Sequence, residues 1–182
     1  MSKTPRFPPK PRTVLFVLFP GFQILDVAGP LAAFEIATRF APNPYRLKLA
    51  AAAPGMTPSS SGVALPTEPL KGQSHVDTLV VSGGNGTRDA MGDNALIAAL
   101  KRMAPRVRRV TSVCSGAFIL AQAGLLDGKS ATTHWRRAPQ LASMFPNVSV
   151  VPDRIYIRDG DVWTSAGVSA GIDLALALIA DD

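Results

Sequence analysis

The continuous apolar run Thr13–Phe19 constrains the fold of this chain more than any other feature. The run does not alternate between apolar and polar residues, so as a strand it needs a hydrophobic cover on both faces. A helix-like stretch follows from about Gly29 to Phe40, with Pro30 suited to its first turn. A second buried strand, Val76–Val81, precedes a helix that we expect Asp93 to cap. Such strands, alternating with helices, are typical of a parallel sheet.

The same alternation continues to the end of the chain. Further strands are predicted at Arg46–Ala53, near Val63–Leu65, and at Val107–Val113, Val148–Val151, Ile155–Ile157 and Val162–Thr164. Helices are predicted after Cys114, over Arg136–Met144 and from about Ser169, the last apolar nearly all round and therefore expected to be buried. Met56–Leu70 is predicted to form loops, and Asp159-Gly160 a hairpin turn. These elements predict an α/β fold with a doubly wound, mostly parallel sheet and helices on both faces.

Length and composition predict a single cytoplasmic domain. Of the 182 residues, 47% are hydrophobic, which suffices for one core over residues 13–182, after a basic, Pro-rich tail at residues 1–12. The sequence contains no run of roughly 18 uncharged apolar residues, so no membrane span is predicted. The N-terminus lacks the apolar segment of a signal peptide. One cysteine excludes an internal disulfide framework and fits a reducing compartment.

The net charge of +6 raises the question of nucleic-acid binding. The basic residues fall into three groups: the N-terminal tail, the segment from Lys101 to Arg109, and Arg136-Arg137. No aromatic residues interleave with the middle group, as a platform for stacked bases would need. Solvated helix ends explain these charges at least as well, so direct DNA binding by this chain is not the favoured interpretation.

Cys114, the only cysteine, is the strongest candidate for a functional residue. An apolar strand leads into Thr111–Phe118 and a helix leaves it, with small residues on both sides of the cysteine. This pattern is typical of a nucleophile elbow, which presents a side chain above the sheet at a helix N-terminus. The helix dipole and unpaired N–H groups there are expected to stabilise a thiolate. The alternative is a buried core cysteine.

Other candidates follow the strands at the same expected edge of the sheet, where ligands bind in such folds. Asp26 follows the first strand and is positioned to orient the thiol or to activate water, which together with Cys114 and Ser115 gives a catalytic set. The backbone N–H groups of Gly84 and Ser115 are candidates for an oxyanion hole. The expected ligand-binding residues are Gly83, Gly84, Asn85, His134 and Trp135.

Each candidate also has a structural explanation. Asp26 is equally suited to cap the helix that follows it, and Gly83-Gly84 to form only a tight turn. His134 is as well explained as a hydrogen-bonded structural histidine as by a role as a base or ligand contact. No metal site and no cofactor is indicated, since His75, His134 and Cys114 show no ligand spacing.

Five blocks of sequence resemble one family. They are Leu25–Pro30, Ser112–Ala117, Ala123–Gly128, Ala131–Trp135 and Thr164–Gly167, and with Gly83-Gly84 they extend over most of the chain. In this order the blocks resemble the ThiJ/PfpI superfamily, which implies a flavodoxin-like, class I glutamine amidotransferase-like fold. The subgroup that carries them contains the N-terminal domains of AraC-type transcriptional regulators and the isonitrile hydratases.

The two kinds of relative imply different functions. A regulator domain would bind a small molecule in the pocket, form a homodimer, and contact DNA only through a helix-turn-helix arm beyond residue 182. A hydratase would use Cys114 to attack the isonitrile carbon, Asp26 to handle water or a proton, and Ser115 to assist, with an N-substituted formamide as product. The phrase Ala123–Arg137 and the end at Ala180–Asp182, where the regulators' linker begins, favour the regulator and make enzymatic activity the less favoured expectation.

Two departures from the wider superfamily limit its chemistry here. Glu is usual where this chain has Asp26, and peptidase-like members have His where this chain has Ser115. A dyad of adjacent Cys and His is therefore excluded, and peptidase activity is not expected. Nothing in the sequence selects the glyoxalase-like or chaperone-like activities of other members.

Overall fold

The computed structural model describes residues 10–41 and 44–182. Its strands are β1 (Arg12–Leu18), β2 (Tyr45–Ala51), β3 (Gly55–Pro58), β4 (Ala64–Pro69), β5 (Val76–Val81), β6 (Arg109–Val113), β7 (Ser130–Ala131), β8 (Ser149–Val150), β9 (Tyr156–Asp159) and β10 (Val162–Ser165). Its α-helices are α1 (Ile24–Ala37), α2 (Thr87–Gly92), α3 (Asn94–Met103), α4 (Gly116–Gln122), α5 (Ala138–Met144) and α6 (Ala170–Asp181). Residues 1–9 of the predicted tail (residues 1–12) lie outside the described residues, and Arg12 already belongs to β1.

The main sheet has eight strands in the order β3-β4-β2-β1-β5-β6-β10-β9. The six strands from β4 to β10 pair in parallel, and the edge strands β3 and β9 run antiparallel to their neighbours. Helices α1 and α6 pack together on one face, and α2, α3 and α4 contact one another on the other. The predicted doubly wound, mostly parallel α/β fold is confirmed.

The apolar run Thr13–Phe19 forms most of the central strand, β1. Residues Val14–Leu18 of β1 lie between β2 and β5 and are almost completely buried. A strand in this position is covered by helices on both faces, which explains why its sequence does not alternate. None of the helices in the described ranges combines the length and the apolar character needed to cross a membrane.

Several predicted boundaries are wrong for local reasons. Helix α1 begins at Ile24, because the Gln23 side chain accepts the Leu25 N–H and caps it, so Pro30 lies inside the helix. The predicted loop region contains the hairpin β3–β4 at the sheet edge. Residues Trp135–Arg137 form a 3₁₀ turn before α5. The predicted Asp159-Gly160 turn between β9 and β10 is confirmed, with Gly160 at φ +64°.

The prediction of a fully buried last helix is also wrong. One side of α6 packs on the sheet and on α1, where Ile172 meets Gly29. The opposite side is open, and Leu176 is 53% exposed. Helix α1 has the same character, with Ile36 48% exposed. The two neighbouring helices thus present apolar side chains to solvent, and we call this surface the α1–α6 face.

Part of the middle basic group is neutralised at the end of the chain. Arg109 is only 3% exposed, and its guanidinium lies 3.3 Å from an oxygen of Asp181 and 3.0 Å from an oxygen of Asp182. The C-terminal ion cluster, as we call it, comprises Arg12, Tyr45, Asp77, Arg108, Arg109, Asp181 and Asp182. Arg109 is therefore a buried ion-pair residue, and its interpretation as a solvated helix end is wrong. Arg108 is exposed but also ion-paired.

Candidate functional site

The loops that follow β1, β5, β6 and β10 meet at one edge of the sheet. The loops pack most tightly at Gly83. A Cβ added there would lie 2.6 Å from the Ser115 nitrogen and 2.8 Å from Asp26 Oδ2. Asp26, Gly83, Cys114 and Ser115 are therefore neighbours, although 89 positions separate Asp26 from Ser115. The expectation that strand ends gather these residues holds for this set.

Cys114 lies in a strained turn between β6 and α4. Its φ of +56° is uncommon for a residue with a side chain. The turn is held from both sides: the Cys114 N–H donates to the Ser165 and Ala166 carbonyls at 3.2 and 3.3 Å, and its carbonyl accepts the Thr133 hydroxyl at 2.7 Å. The cysteine is 8% exposed. These bonds fix the direction of the Cα–Cβ bond of Cys114.

Asp26 is a buried carboxyl group in the first turn of α1. Its Oδ2 accepts the Gly83 N–H at 3.1 Å, while Oδ1 has no hydrogen-bond partner among the described residues. Burial raises the pKa of Asp26 to about 6, and the Gly83 N–H, the Cys114 thiol and the Val168 N–H offset part of the rise. Gln23 caps the helix, so the capping role considered for Asp26 is wrong.

The surroundings of Cys114 favour the protonated form of its thiol. Burial raises its pKa to about 11, the negative charge of Asp26 adds to the rise, and the N–H groups of Ser115 and Val168 offset only part of it. Burial and the Asp26 charge therefore outweigh the stabilisation of a thiolate that we expected at the helix N-terminus. The reason is that the sulfur lies in a buried site beside a carboxyl group, and both features favour its neutral form.

Ser115 connects the cysteine turn to the glycine loop. Its Oγ accepts the Gly84 N–H at 2.9 Å and lies 2.8 Å from the Thr87 hydroxyl. The predicted oxyanion hole is therefore wrong for Gly84, because this N–H is already bonded to a serine side chain. The Ser115 N–H instead lies beside the Cys114 sulfur.

The glycine loop packs backbone against backbone on the loop that follows β1. An added Cβ would collide with the Gly21 carbonyl at Gly84, where φ is +145°, and with the Pro20 carbonyl at Gly86. The Gly83 carbonyl accepts the Gln23 N–H at 2.8 Å. Only glycine allows this approach, so the loop is more than a tight turn. Asn85 is exposed at its tip.

His134 and Trp135 border the site from the other side. A Cβ at Gly167 would contact the His134 ring and lie 3.3 Å from the Cys114 sulfur, so the histidine and the thiol are separated by the width of one glycine. His134 Nδ1 accepts the Arg136 N–H at 3.3 Å, which leaves Nε2 to donate. Trp135 is 63% exposed, stacks on His134 and carries the Arg136 guanidinium 4.9 Å from its ring centre.

Two residues near the thiol were not predicted. Val168 has a φ of +56°, and its N–H lies beside both Asp26 and Cys114. A branched residue in the left-handed region is rare, so no sequence rule indicates it. Thr133, fully buried, holds the Cys114 carbonyl. The blocks Thr164–Gly167 and Ala131–Trp135 pointed to this neighbourhood without giving either role.

We expect Cys114 to react slowly with iodoacetamide at pH 7.5. A pKa of about 11 instead of about 9 lowers the thiolate fraction by about a hundredfold. The rate, followed by mass spectrometry with glutathione as the reference thiol, should rise up to at least pH 10. In Asp26→Asn the rate at pH 7.5 should increase, because a negative charge is removed from beside the sulfur. A plateau of the wild-type rate below pH 8 would contradict this assignment.

The chain is similar to proteins of known family. The model of the DJ-1/PfpI family matches residues 12–181. The chain is 36% identical over 166 residues to isonitrile hydratase of Pseudomonas putida, covering 90% of this chain and 68% of that protein. It is 34% identical over 169 residues to the HTH-type transcriptional regulator CdhR of Pseudomonas aeruginosa, covering 91% and 49%. A ThiJ/PfpI family protein from Pseudomonas syringae superposes with a TM-score of 0.83 at 28% identity, covering 98% and 75%. The chain spans about half the length of the HTH-type regulators that it matches.

Proposed function

This chain belongs to the DJ-1/PfpI family, and from that premise we propose that it is the N-terminal ligand-sensing and dimerisation domain of an AraC-type transcriptional regulator. The observation that carries the proposal is the buried Cys114 beside the buried carboxyl group of Asp26, an arrangement that favours the protonated thiol. Such a pair recognises a small molecule by hydrogen bonds and is a weak resting nucleophile. HTH-type regulators among the relatives, matched over nearly all of this chain, support the same function.

The ligand is a small polar molecule that offers a hydrogen-bond donor. Asp26 Oδ1 is fully buried and unpartnered among the described residues, so it is the acceptor for that donor. In this proposal the Cys114 thiol and His134 Nε2 would contact the same ligand, and the exposed Trp135 would cover it. Asp26 belongs to α1, whose outer side forms the α1–α6 face. A ligand bound to Asp26 therefore acts directly on a helix of the proposed dimer surface, which couples binding to the geometry of the dimer.

The α1–α6 face is the proposed homodimer surface. Leu25, Ile36 and Leu176 are exposed on two helices that pack side by side. Both helices are apolar on nearly all sides, which a helix at the surface of a monomer is not. A second copy of the chain would cover this surface, and in a regulator it would set the spacing of two DNA-binding arms.

We expect Leu176→Asp to convert a dimer into a monomer. A charge placed in the centre of an apolar contact has no partner there, so the dissociation constant should rise by about tenfold or more. Light scattering coupled to gel filtration would give twice 19.2 kDa for the wild type and 19.2 kDa for the variant. Met56→Asp, at an exposed position on β3 away from this face, serves as the control. A wild-type mass of 19.2 kDa at micromolar concentration would contradict the proposed dimer.

The regulator proposal is tested by the size of the native protein. An immunoblot of source cells with an antibody against this domain should show a band heavier by one helix-turn-helix domain, about 100 residues. A band at 19.2 kDa would contradict the regulator assignment and favour the second candidate.

The second candidate is an isonitrile hydratase, which the Cys114–Asp26 pair favours because Asp26, with a pKa of about 6, can both give and take a proton near pH 7. The sulfur bonds to the isonitrile carbon while the thiol proton passes through Asp26 to that carbon, which gives a thioimidate. Water then adds to the same carbon, and Asp26 accepts one water proton and passes it to the imine nitrogen. The C–S bond breaks as the added hydroxyl becomes the carbonyl, its proton returns to the sulfur, and an N-substituted formamide leaves.

The hydratase candidate is tested with cyclohexyl isocyanide. Mass spectrometry should detect N-cyclohexylformamide with the wild type and none above background with Cys114→Ala. Ser149→Ala, at an exposed position on β8, is the matched control. Absence of formamide with the wild type would exclude this activity, and formamide that survives in Cys114→Ala would exclude the thiol mechanism.

A further inference from the structure

A second concavity, which we call the cationic cleft, lies between α3 and the segment that joins β4 to β5. Its volume is about 500 Å³. Its lining includes Leu70, Lys71, Ala95, Ala99, Arg102 and Arg106. It shares no lining residue with the Cys114 site, and neither the regulator nor the hydratase assignment uses it.

The cleft has an apolar floor and a positively charged rim. Helix α3 buries Leu96, Ala99 and Leu100 towards the core. Its alanines at positions 95 and 98, together with Leu70, leave the floor shallow and apolar. Arg102 and Arg106 stand on one side of the opening and Lys71 on the other, all three with exposed side chains. A smaller hollow of about 190 Å³ continues the cleft past Arg106.

No carboxylate neutralises the rim. Within residues 10–41 and 44–182, no Asp or Glu lines the cleft, and no salt bridge involves Lys71, Arg102 or Arg106. The nearby Glu68 is bonded to Lys48 at 2.9 Å. The remaining residues, 1–9 and 42–43, contain no acidic residue in their sequence. This contrasts with Arg108 and Arg109, whose charges Asp77, Asp181 and Asp182 balance.

We propose that the cationic cleft binds a small organic anion with an apolar body and a phosphate or carboxylate head group. The volume is in the range of small-molecule sites, roughly 300–1,000 Å³. Two guanidinium groups and an ammonium group recognise such a head group, and the guanidinium fork suits both phosphate and carboxylate. A nucleic acid strand is less favoured, because among the described residues none that lines the cleft is aromatic.

The probe for this site is 1-anilinonaphthalene-8-sulfonate, which joins an apolar body to one negative charge. Its uncharged analogue N-phenyl-1-naphthylamine measures the contribution of the apolar floor alone. In the double variant Arg102→Glu/Arg106→Glu, sulfonate binding should weaken by about tenfold or more, because two attractive charges become repulsive. The analogue should bind both proteins equally.

Lys101→Glu is the matched control, since Lys101 is next to Arg102, is also exposed, and is not part of the cleft. It should change sulfonate binding by less than about twofold. Displacement of the probe from the wild type by adenosine 5′-monophosphate would identify a phosphate head group, and displacement by octanoate a carboxylate.

Three results would overturn the proposal. The first is equal sulfonate binding by the double variant and the wild type, both shown to be folded by circular dichroism. The second is displacement by neither anion. The third is displacement only by a 20-base-pair DNA duplex, which would make the cleft a nucleic-acid contact. Cys114→Ala should leave the probe affinity unchanged, so the outcome does not depend on the proposed ligand site.

Discussion

The Arg109→Met variant should lose about 3–5 kcal/mol of unfolding free energy. The Arg109 guanidinium is buried, and it donates hydrogen bonds to Thr78, Leu178, Asp181 and Asp182. Methionine keeps much of the side-chain volume but has no donor and no charge. The Asp182 side chain, fully buried, would then keep its negative charge with one guanidinium fewer. Breaking a buried ion pair in this way is among the most destabilising single changes in a protein.

Urea unfolding followed by circular dichroism measures the effect. Lys101→Met is the control, because Lys101 is exposed and forms no salt bridge among the described residues, so its loss should change stability by less than about 0.5 kcal/mol. A loss below about 1 kcal/mol for Arg109→Met would mean that Arg12 and Arg108 compensate fully. The ion pairs of Arg109 would then not be what stabilises the fold at this position.

The second large effect is a gain of stability in Asp26→Asn. A carboxyl group with a pKa of about 6 when folded and 3.8 when unfolded opposes folding at neutral pH by about 3 kcal/mol. An amide removes this penalty but leaves one N–H without an acceptor, which costs about 1 kcal/mol. We therefore expect the variant to be more stable than the wild type by about 2 kcal/mol at pH 7.5.

The raised pKa of Asp26 also sets the direction in which the unfolding free energy changes with pH. Between pH 4 and 6 the folded protein binds more protons than the unfolded chain, so the wild type loses stability as the pH rises through this window. Below and above the window the difference between the wild type and Asp26→Asn should be constant. Asp89→Asn, at an exposed position, should show no such step. A difference that does not change with pH would contradict the raised pKa of Asp26.

A group that destabilises the fold at neutral pH indicates a functional site. Proteins keep such groups where binding or catalysis needs them. Arg109 and Asp26 are both buried and ionisable, but we expect Arg109 to stabilise the fold and the Asp26 carboxylate to destabilise it. Arg109 has a partner for its charge, whereas Asp26 has one oxygen without a hydrogen-bond partner among the described residues.

The sequence predicted the fold wherever burial alone decides the pattern. The central strand β1 and the turn at Gly160 were predicted because an apolar run and an Asp-Gly pair each have one dominant structural meaning. The exposed side of α6 was not predicted, because an apolar helix has the same sequence whether the core or a partner covers it. The strand predicted near Val63–Leu65 corresponds to the start of β4, whereas its partner β3 was missed because an edge strand needs little hydrophobicity.

The sequence predicted that several candidate residues lie close together, but not how their surroundings shift their pKa values. Strand ends converge in parallel sheets, which brought Asp26, Gly83 and Cys114 together as expected. The protonation of Cys114 depends on burial and on the charge of Asp26, and both follow only from the three-dimensional arrangement. The N–H of Val168 was missed because its contribution comes from a backbone conformation that its side chain disfavours.

The backbone-to-backbone contact between the glycine loop and the loop after β1 determines where this site can diversify. A Cβ at Gly84 or Gly86 would collide with the loop after β1, and a Cβ at Gly83 would collide with Ser115 and Asp26, so that wall offers no room for new side chains. The opposite wall, with His134, Trp135 and Val168, carries side chains that are half-buried or exposed. A mutant library aimed at a new ligand should therefore randomise the second wall and leave the glycines unchanged.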